Sequence, residues 1–244
     1  MAAALGKLHV GCAGIGQQGW VGDIYPRGTK SADFLDRYQE HFCFVELNSP
    51  FYGCPSRETV AQWRRRCAKG FCMGLKVPQE VTHAGKLTDN MDYLRAFVDR
   101  VAPLGPHLGP LLFQCPRSLE ADVGRLEALA EALPKDWKLA FEFRHPSWFE
   151  SDAVRCFLQA RDWALCDHPN TVGRATVGRA DRSGAAGHDY NLEPLRATCT
   201  ASFAYVRLHG ANDEHTYRYT PEELRRYAPQ VHALRARGGD VFCA

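Results

Sequence analysis

Short runs rich in β-branched, aromatic and leucine side chains recur along the chain, each preceded by a polar or Gly/Pro break. Their length and composition read as strands: Leu8–Cys12, Phe42–Leu47, Phe71–Val77, Leu111–Cys115, Leu139–Phe143, Trp163–Cys166, Ser202–Leu208 and Asp240–Cys243. Helical patterns lie between them and carry start signals. Ser31-Ala-Asp precedes Phe34-Leu35, Ser56-Arg-Glu precedes Val60, and Thr220-Pro221-Glu222-Glu223 puts proline at the first helical position. Strands alternating with helices imply parallel pairing through right-handed crossovers. Eight repeats predict an α/β fold closed into a single (β/α)8 TIM-like barrel rather than an open doubly wound sheet.

The length of 244 residues agrees with this, because such barrels run to roughly 250 residues. One domain is therefore expected over 1–244, with an N-terminal tail at 1–7. Residues 168–200 break the rhythm: they are rich in Gly, Arg and Ala and contain the direct repeat Thr171-Val-Gly-Arg-Ala175, Thr176-Val-Gly-Arg-Ala180. They read as a long loop on the face where barrel enzymes keep their lids, with a tolerated insertion as the plainer account.

Composition removes several classes. With 45% hydrophobic and 24% charged residues the chain is neither disordered nor fibrous. Thirty basic residues against 28 acidic ones leave a formal charge of +2, too weak a field to make nucleic acid the expected partner. No stretch approaches about 18 uninterrupted apolar residues, so no membrane span is expected, and Met1–Lys7 lacks the regions of a secretory signal. Ten cysteines without a CxxC pair read as thiols in a reducing, cytoplasmic compartment. The oligomeric state leaves no mark in these patterns.

The candidate chemistry lies in what ends the strands: Glu46, Lys76, Gln114, Glu142, Asp167 and Arg207 each close an apolar run. Charges are rarely buried without partners, so a hydrophobic strand finishing on one usually delivers it to a site. Residues two apart face the same way, which groups Phe44, Glu46 and Asn48 on strand two, Glu142 and Arg144 on strand five, and Tyr205, Arg207 and His209 on strand seven. The alternate apolar residues would face the helices and the polar sets the C-terminal mouth of the barrel. Three acids (Glu46, Glu142, Asp167) opposite three bases (Lys76, Arg144, Arg207) also fit a buried ion network that merely plugs the barrel. An apolar plug would do that at less desolvation cost, which favours function.

These segments carry a resemblance. Gly11-Cys-Ala-Gly with Trp20 and Tyr25-Pro26, Phe44-Val-Glu-Leu-Asn-Ser-Pro-Phe-Tyr52, Leu75-Lys-Val-Pro78, Phe113-Gln-Cys-Pro116, Phe141-Glu-Phe-Arg-His-Pro-Ser-Trp148 and Tyr205-Val-Arg-Leu-His-Gly210 resemble the YecE-like family, a domain of unknown function (DUF72). The likeness runs from about residue 8 to the C-terminus. It implies a TIM-like barrel of unassigned reaction whose pocket is built from Glu46, Lys76, Gln114, Glu142, Arg144, His145, Asp167, Arg207 and His209. Two departures are visible. Gly14-Ile15-Gly16 stands where the family places Gly-Trp, and the chain stops at Ala244, so the barrel is expected to be truncated after strand eight, without the family's Asn-rich motif and last helix.

Several motifs have plainer readings. Gly14-Ile-Gly-Gln-Gln-Gly19 matches GxGxxG, but Trp20, Gly22, Pro26 and Gly28 follow where a dinucleotide site needs an opening helix, so a loop at the mouth is expected and no cofactor. Lys76 becomes a Schiff-base or general-base candidate only if desolvation lowers its pKa. Nearby carboxylates favour its charged form, so charge pairing or anion binding is expected. Arg144 and Arg207 suit carboxylate or phosphate through paired donors. Glu46, Glu142, His145, Asp167 and His209 are metal-ligand types, yet three cations in the same mouth oppose a divalent ion and no HxH or HExxH spacing occurs; no metal is expected. Trp20, Tyr25, Tyr52, Trp148 and Tyr217 either stack on a ligand or cap the core, the second being the commoner role.

The leading expectation is an acid–base enzyme acting on a small phosphorylated or carboxylated molecule. Glu46, Lys76, Glu142 and His209 are its catalytic candidates, and Tyr52, Gln114, Arg144, His145, Asp167, Arg207 and Tyr217 its binding candidates. The alternatives are a metal-dependent hydrolase or isomerase acting on a sugar or nucleotide, for which Arg174, Arg179 and Arg182 would supply a basic groove, and a non-catalytic ligand-binding barrel. His215 and Tyr217 are expected to close over the ligand.

Overall fold

A computed structural model describes residues 4–166, 199–209 and 217–244. Most of the expected loop at 168–200 lies outside the described residues, as do Asp167, Arg174, Arg179, Arg182 and His215. All eight expected strands form: β1 (Leu8–Val10), β2 (Phe44–Leu47), β3 (Cys72–Lys76), β4 (Leu108–Gln114), β5 (Leu139–Glu142), β6 (Ala164–Leu165), β7 (Ala204–Val206) and β8 (Val241–Cys243). The helices are α1 (Phe34–Tyr38), α2 (Ser49–Tyr52), α3 (Arg57–Arg66), α4 (Met91–Val101), α5 (Val123–Ala132), α6 (Ser147–Glu150), α7 (Asp152–Ala160) and α8 (Pro221–Arg235).

The start signals act as their chemistry dictates, by satisfying the orphan amides of a first turn. The Ser56 hydroxyl accepts from the Thr59 amide at the head of α3. Thr220 and Glu223 form a reciprocal capping box at α8, with Pro221 at the first position. The Gly14–Gly19 stretch opens no helix; it leads into a single 3-10 turn at Gln18–Trp20. Strand four begins earlier than its apolar run suggests, because Gly109 and Pro110 are extended here and the β3–β4 register shifts between Met73 and Leu75.

Every ladder is parallel, as the alternation predicts. The closed barrel, however, is not formed among the described residues: the strands make one five-stranded sheet, β2-β3-β4-β5-β6, and one three-stranded sheet, β1-β8-β7. The two seams show why. At the first, Gly11 runs so close to β2 that a Cβ there would lie 1.9 Å from the Phe44 carbonyl oxygen. The Tyr38 hydroxyl sits between the chains, accepting from the Cys12 amide (2.6 Å) and donating to the Phe44 carbonyl (2.9 Å), and only one bridge, Ala13 to Glu46, remains. At the second, β6 has two residues, and the Thr200 hydroxyl accepts from the Leu165 amide and donates to the Trp163 carbonyl, both at 2.7 Å. Side-chain hydroxyls thus hold the groups that a ladder would pair.

Alternation sorts the side chains as parity requires. Val45, Leu75, Phe113 and Phe141 face outward and pack with Leu94, Phe97, Leu126 and Leu158 of the helices. Phe44, Leu112, Ala140, Ala164, Tyr205 and Phe242 face inward and form a second apolar cluster between the sheets. Outside β1 and β8 an apolar groove of about 670 Å³ runs beside α8, lined by Leu8, Val10, Leu224, Tyr227 and Cys243. Among the described residues no helix is long and apolar enough to cross a membrane.

Candidate functional site

Above the inner apolar cluster, the next inward positions are polar. Adjacent registers bring Gln114 opposite Glu142 and Glu46 opposite Gly74. Gly74 leaves the room this requires: a Cβ there would meet the Phe44 ring at 2.9 Å and the Tyr205 hydroxyl at 3.1 Å. Glu46, Glu142 and Arg207 are buried, and they form one cluster. Arg207 grips Glu46 with both arms of its fork, Nε to Oε2 at 2.9 Å and Nη2 to Oε1 at 2.7 Å, while Nη1 donates to Glu142 Oε2. Burial opposes the charge on Arg207, and the carboxylates of Glu46 and Glu142 more than offset it, so its pKa lies well above the ordinary value.

Second donors complete both carboxylates. Tyr205 donates to Glu46 Oε2 at 2.8 Å. Gln114 Nε2 and Arg144 Nε reach Glu142 Oε1 at 2.8 and 2.9 Å, and His209 Nε2 stands 3.9 Å from Glu142 Oε2. Burial lowers the pKa of His209 despite that carboxylate, with Arg207 adding to the shift, so the imidazole is neutral at neutral pH. Arg144 is the outermost member, its side chain 37% exposed.

Lys76 departs from the expected charge pairing. Its ammonium lies 3.9 Å from the centre of the Phe51 ring, and no described residue hydrogen-bonds it or pairs with it. Burial is the main cause that lowers its pKa, to about 8, and Arg207 adds to it; Glu142 and Glu46 oppose, but their charge is already answered by arginine. Phe51, on α2, also carries His83 edge-on at 5.1 Å. The pKa of His83 is lowered by burial and, further, by the charges of Lys76 and Arg144.

The structure therefore gathers Glu46, Gln114, Glu142, Arg144, Arg207, His209 and Lys76 at one end of the strands. Three other candidates point elsewhere. His145 Nδ1 meets the Ser147 hydroxyl at 2.8 Å at the start of α6, a local turn contact. Tyr52 is 74% exposed and packs only its edge on Phe51. Tyr217 donates to Glu223, extending the cap of α8. Tyr25 and Trp148 are core, the latter stacked on Phe143 at 4.0 Å. The site also includes Tyr205, Phe51 and His83; the polar face of strand seven marks Tyr205, whereas no local pattern marks the other two. Among the described residues no three His, Cys, Asp or Glu side chains converge as metal ligands, and Arg207 fills the space between Glu46 and Glu142.

These features define a class: an α/β protein whose parallel strands deliver a buried acid–arginine cluster, and a lysine unpaired among the described residues, to a common end. Within it the chain belongs to the family described as protein of unknown function DUF72, whose profile matches residues 9–244. The UPF0759 protein YecE of Escherichia coli K12 is 26% identical over 189 residues, covering 73% of this chain and 68% of that protein. The UPF0759 protein YunF of Bacillus subtilis 168 is 27% identical over 259 residues, 93% of this chain and 86% of that one. A DUF72 family protein of Thermotoga maritima superposes with a TM-score of 0.74 at 28% identity, over 97% of this chain and 91% of its own. One from Enterococcus faecalis V583 gives 0.71 at 19% identity, over 98% and 89%, which speaks for the fold alone.

Proposed function

We propose that the chain is a cytoplasmic enzyme using acid–base chemistry on a small phosphorylated or carboxylated molecule, bound where the strands of an opened (β/α)8 barrel end. The observation that carries this reading is the charge balance among the described residues. Three cations, Lys76, Arg144 and Arg207, stand against two carboxylates, Glu46 and Glu142; Arg207 pairs with both, and Arg144 shares Glu142 with it. The surplus falls on Arg144, the outermost member, and on Lys76, which no described carboxylate pairs, where an incoming anion would restore neutrality. Contacts between β1 and β2 and between β6 and β7 support the barrel, and ten cysteines that remain thiols support the reducing compartment.

Roles follow from access. Both oxygens of Glu46 are held by Arg207 and Tyr205, so Glu46 orients Arg207 rather than moving a proton. His209, neutral and less deeply buried, takes that step with Glu142 behind it to stabilise the imidazolium. A divalent metal would need the carboxylates that Arg207 occupies, which sets the metal-assisted alternative aside.

Titration calorimetry with inorganic phosphate and with oxalate tests the reading. Binding is expected, weakened about tenfold or more by Arg144→Ala, since a charge-assisted bond contributes roughly 1.5–3 kcal/mol. Equal binding by the variant, no binding of either anion, or stoichiometric metal in elemental analysis that Glu142→Gln abolishes, would each overturn it.

A further inference from the structure

Of the seven lysines in the chain, six are exposed; Lys76 alone is withdrawn from solvent. It is also the one cation of the site with no hydrogen-bonding partner among the described residues, and an aromatic ring rather than a carboxylate holds its amine. Arg144 lies toward the outside of the same cluster, and His83 shares the Phe51 ring with Lys76. A half-buried amine without an ion-pair partner among the described residues, beside an anion seat and a neutral imidazole, is the arrangement of a nucleophile rather than of a structural charge.

We infer that Lys76 forms an imine with the carbonyl carbon of a small aldehyde or ketone that also bears a carboxylate or phosphate. This rests on the anion reading above and deepens it: Arg144 seats the anionic group, and the carbonyl is presented to Lys76. The ammonium first gives up a proton to solvent; the neutral amine then attacks the carbonyl carbon, forming the C–N bond, and the C=O π pair moves to oxygen, which takes one proton back from solvent. His83 accepts the proton that nitrogen loses and returns it to the hydroxyl as that leaves as water. The product is a protonated imine; one water is released, and no oxidant or reductant is consumed. Neutral amine is available near physiological pH, because burial and the adjacent arginine bring the Lys76 pKa to about 8. At pH 7.5 that leaves roughly a quarter of it uncharged, against about one part in a thousand for an ordinary lysine. The positive imine nitrogen carries the same charge as the resting ammonium, so between those two states the charge facing Glu142 and Glu46 is unchanged.

The test is reductive trapping on the intact chain. Protein is incubated with glyoxylate, with glycolaldehyde phosphate and with neutral acetaldehyde, each with sodium cyanoborohydride at pH 7.5, and the adducts are mapped by peptide mass spectrometry. A single predominant adduct at Lys76 is expected, formed at least tenfold faster than on any exposed lysine and absent from Lys76→Arg. Adducts spread over the exposed lysines without preference for Lys76 overturn the inference, and they do so on the native chain whether or not the variant folds. The anion reading is scored separately. Arg144→Ala should remove the advantage of glyoxylate and glycolaldehyde phosphate over acetaldehyde. If acetaldehyde labels Lys76 as fast as the anions do in the unaltered chain, the imine stands and the anion seat falls.

Discussion

Arg207 ties the two sheets of the structure together. It stands just past β7, in the three-stranded sheet, and binds Glu46 on β2 and Glu142 on β5, both in the five-stranded one. Removing it leaves Glu46 buried without its counter-charge and Glu142 with Arg144 alone, which costs on the order of 3–5 kcal/mol. Urea unfolding of Arg207→Met should show that loss, while Arg144→Ala, which exposes its partner to water, should lose far less. Equal losses would mean that the buried fork carries no special share. Charged residues at strand ends were legible in the sequence because an apolar strand seldom ends on a charge without cause. Phe51 and His83 were not. They lie in short helical turns after β2 and β3, and only the fold brings both rings beside Lys76.

At the scale of elements, periodicity found all eight strands and their common direction, since both follow from short-range pattern. What it did not reveal was how each seam closes. The β6–β7 seam rests on Thr200 and on Asp162, whose carboxylate accepts from the Ser202 hydroxyl at 2.7 Å. Neither residue belongs to an apolar run. Thr200→Val keeps the shape and removes two hydrogen bonds, one of them satisfying a strand amide, and should cost about 1–3 kcal/mol of unfolding free energy. Hydrogen exchange should then quicken first at Leu165. Unchanged protection there would mean that the seam is held by packing alone.

At the scale of the whole molecule, Lys76 imposes a pH dependence on stability. Its pKa is about 8 in the folded chain against an ordinary 10.5, so between those values the unfolded chain binds more protons. Stability therefore rises with pH across that window, and the penalty for charging the buried amine is fully present below it. Thermal melts at pH 7.5 and 9.5 should show the unaltered protein gaining on Lys76→Met as pH rises; parallel curves would contradict a depressed pKa. The sequence by itself determined the strand–helix alternation, the parallel direction and the set of polar side chains at the strand ends, because each depends on residues within a turn or a pleat of one another. Only the tertiary structure decided that the strands divide into two sheets, that one arginine answers two carboxylates, and that Lys76 is left over. Glu46 and Arg207 are 161 positions apart, and which charges meet across that separation depends on packing distance and burial, which no local periodicity encodes.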